Sequence, residues 1–387
     1  MKRIISALAV LLLFGGPLMA AENLPDPKRV FQWNREERLT GFKSVEKITP
    51  VNTVGAGGKA RALAAPSSPL ALKLAELLDK PTADFMKSGD IVGVMVINNG
   101  EVIVERYAHG FSRNDRWTSF SVAKSFTATL AGAALADGSL KSLDDLVIDY
   151  VPELNGSAYD GVTIRHLLTM TSGVYWNEDY TDPKSHVADM ALGAGDSSRD
   201  QLDVLKSLPR FAKPGSTFDY RTGESNLLGI VIMRATGKSL SDYLTEKIWK
   251  PFGMEKAAYW ALDGQGREMA GCCLSMTLGD YARFGLFMLG GGKIGDEQVV
   301  DSQWYKDGTR DITGHHYGYQ WRMVDDGVFA ATGIFGQLIA VDTKTGSVAV
   351  ILSAWDHPVS RRGNEKRFEY LFKIRALALT AASAQGN

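Results

Sequence analysis

The amino-acid sequence predicts an α+β fold in which a mainly antiparallel sheet is flanked by helices and a helical lobe is inserted between the two parts of the chain that form the sheet. Three observations support this prediction. A β-hairpin pattern occurs over residues 91–105, helical periodicity dominates residues 120–290, and strand patterns return after Gly292. The cleft between two such lobes is the expected position of a functional site.

The individual elements follow from local patterns. Two runs rich in β-branched residues, Ile91–Ile97 and Glu101–Glu105, flank Asn99-Gly100, and Asn-Gly in that position is the strongest short hairpin signal. Helical spacing predicts helices at Phe120–Asp137, Ile164–Thr169, Asn226–Ala235, Leu240–Trp249, Leu278–Leu289 and Glu365–Ala378. Alternating or continuous apolar runs predict strands at Tyr317–Val324, Val328–Ala331, Gln337–Asp342 and Ser347–Ser353.

The beginning of the chain has the pattern of a secretory signal peptide over residues 1–20. Lys2 and Arg3 precede a short apolar run, which is followed by a Gly-Gly-Pro break and small residues suited to cleavage. The run is shorter than the roughly 20 apolar residues that a membrane anchor needs. We therefore expect a periplasmic or secreted protein with no membrane anchor after cleavage.

The rest of the chain divides into an extension and one domain. Residues 21–74 are poorly patterned and contain Gly-rich and Pro/Ser-rich stretches, so we expect an extension that wraps the domain or is partly loose. Within it begins a short helix, Leu70–Leu78, which we expect to end before Pro81. Residues 75–387 form the domain, with 75–118 and 292–387 in the sheet lobe and 119–291 in the mainly helical lobe.

Composition excludes several classes of function. The 43 Lys and Arg residues balance 44 Asp and Glu residues, and 45% of the residues are hydrophobic, which excludes a disordered chain. A net charge of −1 without a basic run gives no reason to expect a nucleic-acid partner. Cys272 and Cys273 are adjacent, and neighbouring cysteines rarely reach ordinary disulfide geometry, so we expect two buried thiols, with a bond between them as the alternative. No metal or cofactor is predicted.

The strongest catalytic candidate is Ser121-Val-Ala-Lys124. The same spacing occurs at Ser44–Lys47, but in the poorly patterned extension. Ser121 instead begins a segment that is small or apolar on every face, which is typical of a buried helix. Residues i and i+3 share a helix face, and a desolvated lysine favours its neutral form, which can act as a base for a serine nucleophile. The alternative is a serine helix cap beside a lysine that reaches solvent.

Several motifs around this tetrad occur together in one family. They are Trp117–Phe126, Gly138–Asp145, Val162–Gly173, Pro214–Gly229, Pro251–Met254 and Tyr281–Gly285. From about residue 75 to its end, the chain resembles the serine hydrolases related to class C β-lactamases and D-alanyl-D-alanine carboxypeptidases. Glu178–Pro183, Tyr317–Trp321 and Gly333–Gln337 resemble the 6-aminohexanoate-dimer hydrolase branch of that family.

The resemblance implies a penicillin-binding-protein-like (β-lactamase/DD-peptidase-like) fold and assigns roles to further residues. Tyr220 has the setting of the family's second motif and would transfer protons between Ser121, Lys124 and the leaving group. Thr222 stands where the family usually has Asn or Ser. Tyr175–Asn177 is a second match to that motif without its setting. Tyr180 is the candidate hydrogen-bond donor to substrate.

The third motif of β-lactamases, Lys-Thr-Gly, occurs literally at Lys344–Gly346, but the flanking apolar runs predict a hairpin turn there. The family-equivalent strand is Ile334–Gly336, which has no cation, and the N–H of Gln337 would complete an oxyanion hole with that of Ser121. The missing cation favours a small-molecule amide or ester that is linear. A carboxypeptidase or β-lactamase-type enzyme, or a non-catalytic binding relative, is the alternative, and the sequence leaves a homodimer open.

Overall fold

The computed structural model describes residues 24–192, 198 and 200–383, so the predicted signal peptide lies outside the described residues. A six-stranded antiparallel sheet forms the centre of the fold. The strands in chain order are β1 (Val51–Val54), β2 (Ile91–Asn98), β3 (Glu101–Tyr107), β4 (Trp117–Thr118), β5 (Ala258–Ala261), β6 (Leu274–Met276), β7 (Lys293–Ile294), β8 (Glu297–Gln298), β9 (Arg322–Asp325), β10 (Val328–Gly333), β11 (Gln337–Asp342) and β12 (Ser347–Ser353).

The main sheet has the strand order β3-β2-β12-β11-β10-β9. Strand β12 pairs with β2 through partners such as Val348 and Ile97, so the two ends of the chain meet in the middle of the sheet. This confirms the predicted α+β architecture, in which the sheet is built from both ends of the chain and helices are inserted between them.

Helices cover both faces of this sheet. They are α1 (Arg35–Gly41), α2 (Val45–Ile48), α3 (Pro69–Met86), α4 (Val122–Ala136), α5 (Val147–Tyr150), α6 (Ile164–Leu168), α7 (His186–Leu192), α8 (Gln201–Ser207), α9 (Thr222–Thr236), α10 (Leu240–Leu244), α11 (Lys250–Phe252), α12 (Leu278–Leu289), α13 (Ser302–Gly308) and α14 (Arg361–Ser383). Helices α3 and α14 pack on one face, and α12 and α4 lie on the other. Because both faces are covered, β2, β11 and β12 are buried along their whole length.

Helix α3 corrects the prediction of a short helix that ends before Pro81. The helix continues through this proline to Met86. The hydroxyl of the buried Thr82 donates to the carbonyl of Leu78 over 2.6 Å and lies 2.7 Å from the hydroxyl of Tyr370 in α14. Packing against α14 therefore offsets the backbone hydrogen bond that proline cannot make.

Other boundaries differ by less. The predicted strand Tyr317–Val324 begins only at Arg322, and the predicted helix Leu240–Trp249 consists of α10 followed by a π-helical turn, Thr245–Trp249. The final helix is longer than predicted at both ends, since α14 runs from Arg361 to Ser383. Among the residues that the structure describes, no helix combines the length and apolar character needed to cross a membrane.

A second, four-stranded sheet has the order β1-β5-β6-β4 and lies beside the start of α4. Its strand β1 belongs to the segment before α3, which also contains a 3₁₀ turn, Pro27–Gln32, and helices α1 and α2. A capping box between Asn34 and Glu37 begins α1. The sheet also joins β4, which precedes Ser121, to β6, which follows the cysteine pair.

Candidate active site

Ser121 lies at the start of α4, at the junction between strand β4 of the four-stranded sheet and this buried helix. Ser119 fixes this junction, because its N–H donates to the carbonyl of Leu274 over 3.1 Å and its hydroxyl accepts from the N–H of Leu274 over 3.0 Å. Phe120 has a φ of 44°, in the left-handed region that non-glycine residues seldom adopt. The strained turn places Ser121 at the N-cap of α4, whose Val122–Ala134 stretch is entirely buried.

Lys124 lies one helical turn after Ser121, as the spacing predicts. Its ammonium group donates to the hydroxyl oxygen of Ser121 over 2.9 Å, to that of Thr222 over 2.9 Å and to the carbonyl of Gly271 over 2.8 Å. The residue is only 2% exposed, so the alternative of a lysine that reaches solvent is wrong. Three acceptors match the three N–H bonds of an ammonium group, and burial is therefore fully compensated.

Tyr220 reaches this pair from the segment that precedes α9. Its ring centroid lies 5.1 Å from the Lys124 Nζ atom and 5.0 Å from the Arg322 guanidinium carbon. Tyr317 contacts it edge to face, with the centroids 6.4 Å apart. Two cations at cation–π distance and a perpendicular ring fix the position of Tyr220 beside Lys124.

Thr222, the first residue of α9, connects Lys124 to a carboxylate that the prediction of site residues missed. The Thr222 N–H donates to Glu178 over 2.9 Å, and its hydroxyl donates to the other oxygen of the same carboxylate. Glu178 also accepts from the Trp176 indole N–H and from the Tyr180 hydroxyl. The only sequence signal for this role was the position of Glu178 in a motif shared with the 6-aminohexanoate-dimer hydrolase branch.

Tyr180 lies at the site but is oriented differently from the prediction. Its hydroxyl donates to Glu178 over 2.7 Å, and its ring packs edge to face on Phe31 with the centroids 5.3 Å apart. Burial and the neighbouring charge of Glu178 raise the pKa of Tyr180 well above its ordinary value. Because the single hydroxyl proton is directed at Glu178, the phenol oxygen is left to accept a hydrogen bond from substrate.

The segment predicted as the oxyanion strand is a 3₁₀ turn, Ile334–Gly336, between β10 and β11. Phe335 and Gly336 have φ values of 57° and 97°, and a Cβ atom on Gly336 would lie 2.0 Å from the Ser353 hydroxyl. Ile334 lines the cavity at Ser121, whereas neither Gly336 nor Gln337 does. Only glycine fits the position of residue 336.

Gln337, whose N–H is predicted to complete the oxyanion hole, is fully buried behind this turn and does not line the cavity. Its amide donates to the carbonyls of Ile334 and Ser353 and accepts from the indole N–H of Trp117 over 3.1 Å. The backbone carbonyl of Gln337 accepts from Arg367 over 3.0 Å. The side chain of Gln337 therefore ties the turn to Ser353 of β12.

Cys272 and Cys273 form a disulfide with each other, so the expectation of two free thiols is wrong. Both are half-buried and line the cavity at Ser121. They directly follow Gly271, whose carbonyl accepts from Lys124. Cys273 has a φ of 71°, a local conformation that the sequence pattern does not indicate.

The cavity beside Ser121 has a volume of about 110 Å³. The hydroxyl-bearing residues among its described lining are Ser121, Thr222, Tyr180, Thr49 and Thr118. Among the residues that the structure describes, no Lys, Arg, Asp or Glu side chain lines it. The same part of the chain contains no group of three or more His, Cys, Asp and Glu residues that could hold a metal ion.

Lys344, the lysine of the literal Lys-Thr-Gly sequence, lies outside this cavity. It belongs to the turn between β11 and β12, as predicted, and forms an ion pair with Asp326 on the neighbouring β9–β10 turn. The turn is tied by Asp342, whose carboxylate accepts from the N–H of Lys344 over 2.9 Å. This lysine therefore lies at the end of the sheet, in the turn that joins two of its central strands.

A buried ion pair lies directly behind Tyr220 and Thr222. Arg221 and Glu224 are each 1% exposed, and their closest charged atoms are 3.6 Å apart. Burial raises the pKa of Glu224 to about 7, and the charge of Arg221 and the hydroxyl of Ser172 only partly oppose this shift. Asp219 holds the other side of the guanidinium group at 3.0 Å.

A serine hydrogen-bonded to a buried lysine one turn away, at the junction of an antiparallel sheet and a helical lobe, is an arrangement typical of a serine hydrolase. The chain belongs to the β-lactamase family, whose model matches residues 78–371. A 6-aminohexanoate-dimer hydrolase from Paenarthrobacter ureafaciens is 32% identical over 288 residues, which cover 69% of this chain and 73% of that protein.

Solved structures give the same fold. A Bacillus anthracis protein assigned as a 6-aminohexanoate-dimer hydrolase superposes with a TM-score of 0.78 at 24% identity, covering 92% of this chain and 97% of that one. A family VIII carboxylesterase superposes with a TM-score of 0.61 at 16% identity, covering 81% of this chain and 99% of that one. Identities this low establish the fold alone.

Proposed function

We propose that this serine hydrolase is exported and cleaves a small linear amide or ester through an acyl-enzyme formed on Ser121. The observation that carries the proposal is the set of partners around Lys124. The Gly271 carbonyl can only accept, and the Thr222 hydroxyl proton is already directed at Glu178. Those two groups therefore each need an N–H from Lys124, in either protonation state of the amine.

The hydrogen bond between Lys124 and Ser121 is the one bond of the three that can reverse its direction. When the amine is neutral, its two N–H bonds satisfy Gly271 and Thr222, and its lone pair is directed at the Ser121 hydroxyl. The amine then accepts the hydroxyl proton as the serine oxygen attacks a carbonyl carbon. The geometry thus supports Lys124 as the general base.

The remaining steps use groups beside this pair. Tyr220, in contact with Lys124 through its ring, would relay the proton to the leaving amine or alcohol as the carbon–nitrogen or carbon–oxygen bond breaks. Water then attacks the ester on Ser121, giving the free acid and restoring the serine hydroxyl. The oxyanion that forms in both steps would be held by the N–H groups of Ser121 and Ile334, since Ile334 lines the cavity and Gln337 does not.

Two features of the chain support export. Residues 1–20 have the charge and hydropathy pattern of a signal peptide. The Cys272–Cys273 disulfide is of a kind that persists in oxidising compartments such as the periplasm or the extracellular medium. We therefore propose a periplasmic or secreted location, tested by cell fractionation and by the N-terminal sequence of the mature protein.

A carboxypeptidase or β-lactamase-type activity is the second candidate, because one relative named a β-lactamase, from Pseudomonas fluorescens, is 36% identical over 112 residues. Those residues cover 27% of this chain and 31% of that protein. The position of Lys344 in a turn, outside the cavity, argues against this candidate. Stable acylation of Ser121 by a labelled penicillin would favour a carboxypeptidase-type enzyme, and turnover of a chromogenic cephalosporin would favour a β-lactamase-type enzyme, over the proposed amidase or esterase.

A fluorophosphonate probe tests the proposed nucleophile. The wild-type protein should be labelled, and Ser121→Ala should lose the label. Ser44→Ala is the matched control, because Ser44 has the same Ser-x-x-Lys spacing but precedes the short helix α2 in the N-terminal segment. Undiminished labelling of Ser121→Ala would exclude the assignment.

A further inference from the structure

The segment before α3 forms one wall of the cavity at Ser121. The family model begins at residue 78, so this segment lies outside the matched domain. The residues that it contributes to the cavity are mostly apolar: Pro27, Val30, Phe31, Trp33, Phe42, Val45, Ile48 and Thr49. A part of the chain with little sequence pattern therefore shapes the space next to the nucleophile.

This wall is held firmly against the domain. Arg38 is 5% exposed and donates to the carbonyls of Trp33 and Ala354, over 2.6 and 3.3 Å. Phe42 packs against the rings of Phe120 and Phe335, with centroids 4.9 and 5.0 Å apart. Its position next to the residue that precedes Ser121 makes the segment an integral part of the site.

Phe31 and Tyr180 mark a boundary between two cavities of different polarity. Both rings line the apolar cavity at Ser121 and also a larger outer cavity of about 630 Å³. The outer cavity is lined by charged side chains that include Lys28, Arg29 and Glu178. The edge-to-face contact of Phe31 and Tyr180 therefore forms a constriction between an apolar inner space and a polar outer one.

We propose that the segment Pro27–Thr49 determines substrate specificity, and that the inner cavity takes an uncharged, apolar acyl chain while the leaving group lies toward the outer cavity. This rests on the proposed acyl-enzyme mechanism. The acyl group stays on Ser121 through both steps and can remain enclosed, whereas the leaving group must depart and water must enter. Apolar cavities of roughly 150 Å³ hold groups the size of benzene, so about 110 Å³ suits a short alkyl chain.

The main selectivity should be for acyl chains that carry no charge over acyl chains that end in a charged group. An ammonium or carboxylate at the end of the acyl chain would lose its hydration in a cavity with no counter-ion among the described lining residues. The decisive comparison is therefore between p-nitrophenyl hexanoate and p-nitrophenyl 6-aminohexanoate, which differ by one terminal ammonium group. The expected ratio of kcat/KM is at least about 100 in favour of the hexanoate, with p-nitrophenyl acetate about tenfold below the hexanoate.

Two variants test whether the N-terminal segment carries this selectivity. Ile48→Glu and Phe31→Ala should each lower the ratio of kcat/KM for the hexanoate to kcat/KM for the acetate about tenfold relative to wild type. Leu72→Glu is the control, because Leu72 is 54% exposed on α3. Acetate hydrolysis also reports that each variant is folded.

Equal kcat/KM values for the hexanoate and the 6-aminohexanoate ester would overturn the proposal, as would equal losses on acetate and hexanoate in both variants. Either result leaves the Ser121 mechanism intact. A failure of the proposed function is distinct, because then no ester in the series would be hydrolysed by a Ser121-dependent route.

Discussion

Thr222 and Glu178 are joined by two hydrogen bonds, in which the backbone N–H and the side-chain hydroxyl of Thr222 donate to the two oxygens of one carboxylate. The same hydroxyl oxygen accepts from Lys124 over 2.9 Å. Thr222 therefore links Lys124 to the Glu178 carboxylate through hydrogen bonds on both sides of its hydroxyl group. Its methyl group plays no part in this chain of hydrogen bonds.

The Thr222–Glu178 relationship predicts that a hydroxyl is required at position 222. Thr222→Ser should keep kcat within about threefold of wild type, whereas Thr222→Ala should lower it about 10- to 100-fold, as expected when a hydrogen bond to a charged group is lost. Glu178→Gln should lower kcat similarly, since the amide NH2 group cannot accept the hydrogen bonds that a carboxylate oxygen accepts from Thr222. Steady-state kinetics on p-nitrophenyl acetate measures this, with Thr217→Ala, on the exposed loop before Tyr220, as control. Full activity of Thr222→Ala would contradict the prediction.

Substitution of Lys344, unlike that of Thr222 or Glu178, should leave the activity almost unchanged. Because Lys344 pairs with Asp326 in the neighbouring turn and does not line the cavity, Lys344→Ala should leave kcat/KM on esters within twofold of wild type. The expected loss of stability is small, since exposed ion pairs contribute about 0–1 kcal/mol. Ester kinetics and a thermal melt check both points. A tenfold fall in kcat/KM would assign this lysine to substrate binding after all.

Reduction of the Cys272–Cys273 disulfide should lower activity. The pair directly follows Gly271, whose carbonyl holds Lys124, and the Cys272 carbonyl accepts from the Trp260 indole over 3.1 Å. A phosphine reductant converts the disulfide into two thiols and releases this constraint on the backbone. We expect kcat to fall about tenfold, which corresponds to 1.4 kcal/mol, and to recover on reoxidation.

The control for the disulfide experiment is the double variant Cys272→Ser and Cys273→Ser, which should have the lower kcat and be insensitive to the reductant. Alkylation and mass spectrometry establish the fraction of protein that is reduced. Unchanged kcat in fully alkylated wild-type protein would show that the bond does not position the lysine.

The raised pKa of Glu224 predicts that the free energy of unfolding decreases as the pH rises toward neutrality. Burial raises its pKa from 4.5 to about 7, so the folded protein binds its proton more tightly than the unfolded chain does. This contribution to the free energy of unfolding is fully present below pH 4.5 and is lost as the pH rises through about 7. A shift of this size corresponds to about 3 kcal/mol.

Denaturant unfolding at pH 5 and pH 8 measures that dependence. Glu224→Gln should flatten the change between the two pH values, because the amide cannot ionise next to Arg221. Glu153→Gln is a suitable comparison, since Glu153 is a surface carboxylate whose pKa is lowered to about 2 by Arg234 and which stays ionised over this range. A pH dependence that is the same in Glu224→Gln and wild type would contradict the assignment.

The order of elements was predictable because apolar periodicity and turn residues agreed with the tertiary fold. Helix Leu278–Leu289 and strands Gln337–Asp342 and Ser347–Ser353 have the predicted bounds. The pairing of Ser121 with Lys124 was predictable for the same reason, since both positions are set by one helix. The prediction that α3 ends before Pro81 was wrong because the packing of this helix against α14 cannot be read from the local sequence.

The rest of the site depends on contacts between distant parts of the chain. Glu178 reaches Thr222 across 44 positions, and no local pattern indicates that carboxylate as the partner of a lysine. The turn at Phe335 bends through a positive φ, which turns Gln337 into the core and leaves Ile334 at the cavity. Phe31 and Ile48 belong to a segment whose apolar residues have no helical or strand periodicity in the sequence. Their shared role in the cavity wall is visible only in the folded structure, where they lie beside Ser121.

The most direct test of the central claim is peptide mapping by mass spectrometry of the acyl group left on the protein after rapid acid quenching of its reaction with p-nitrophenyl hexanoate. The account predicts one hexanoyl group on the peptide containing Ser121, formed at least about 100-fold more slowly when Lys124 is replaced by Met. A hexanoyl group on another residue, or unchanged acylation of Ser121 in Lys124→Met, would contradict it.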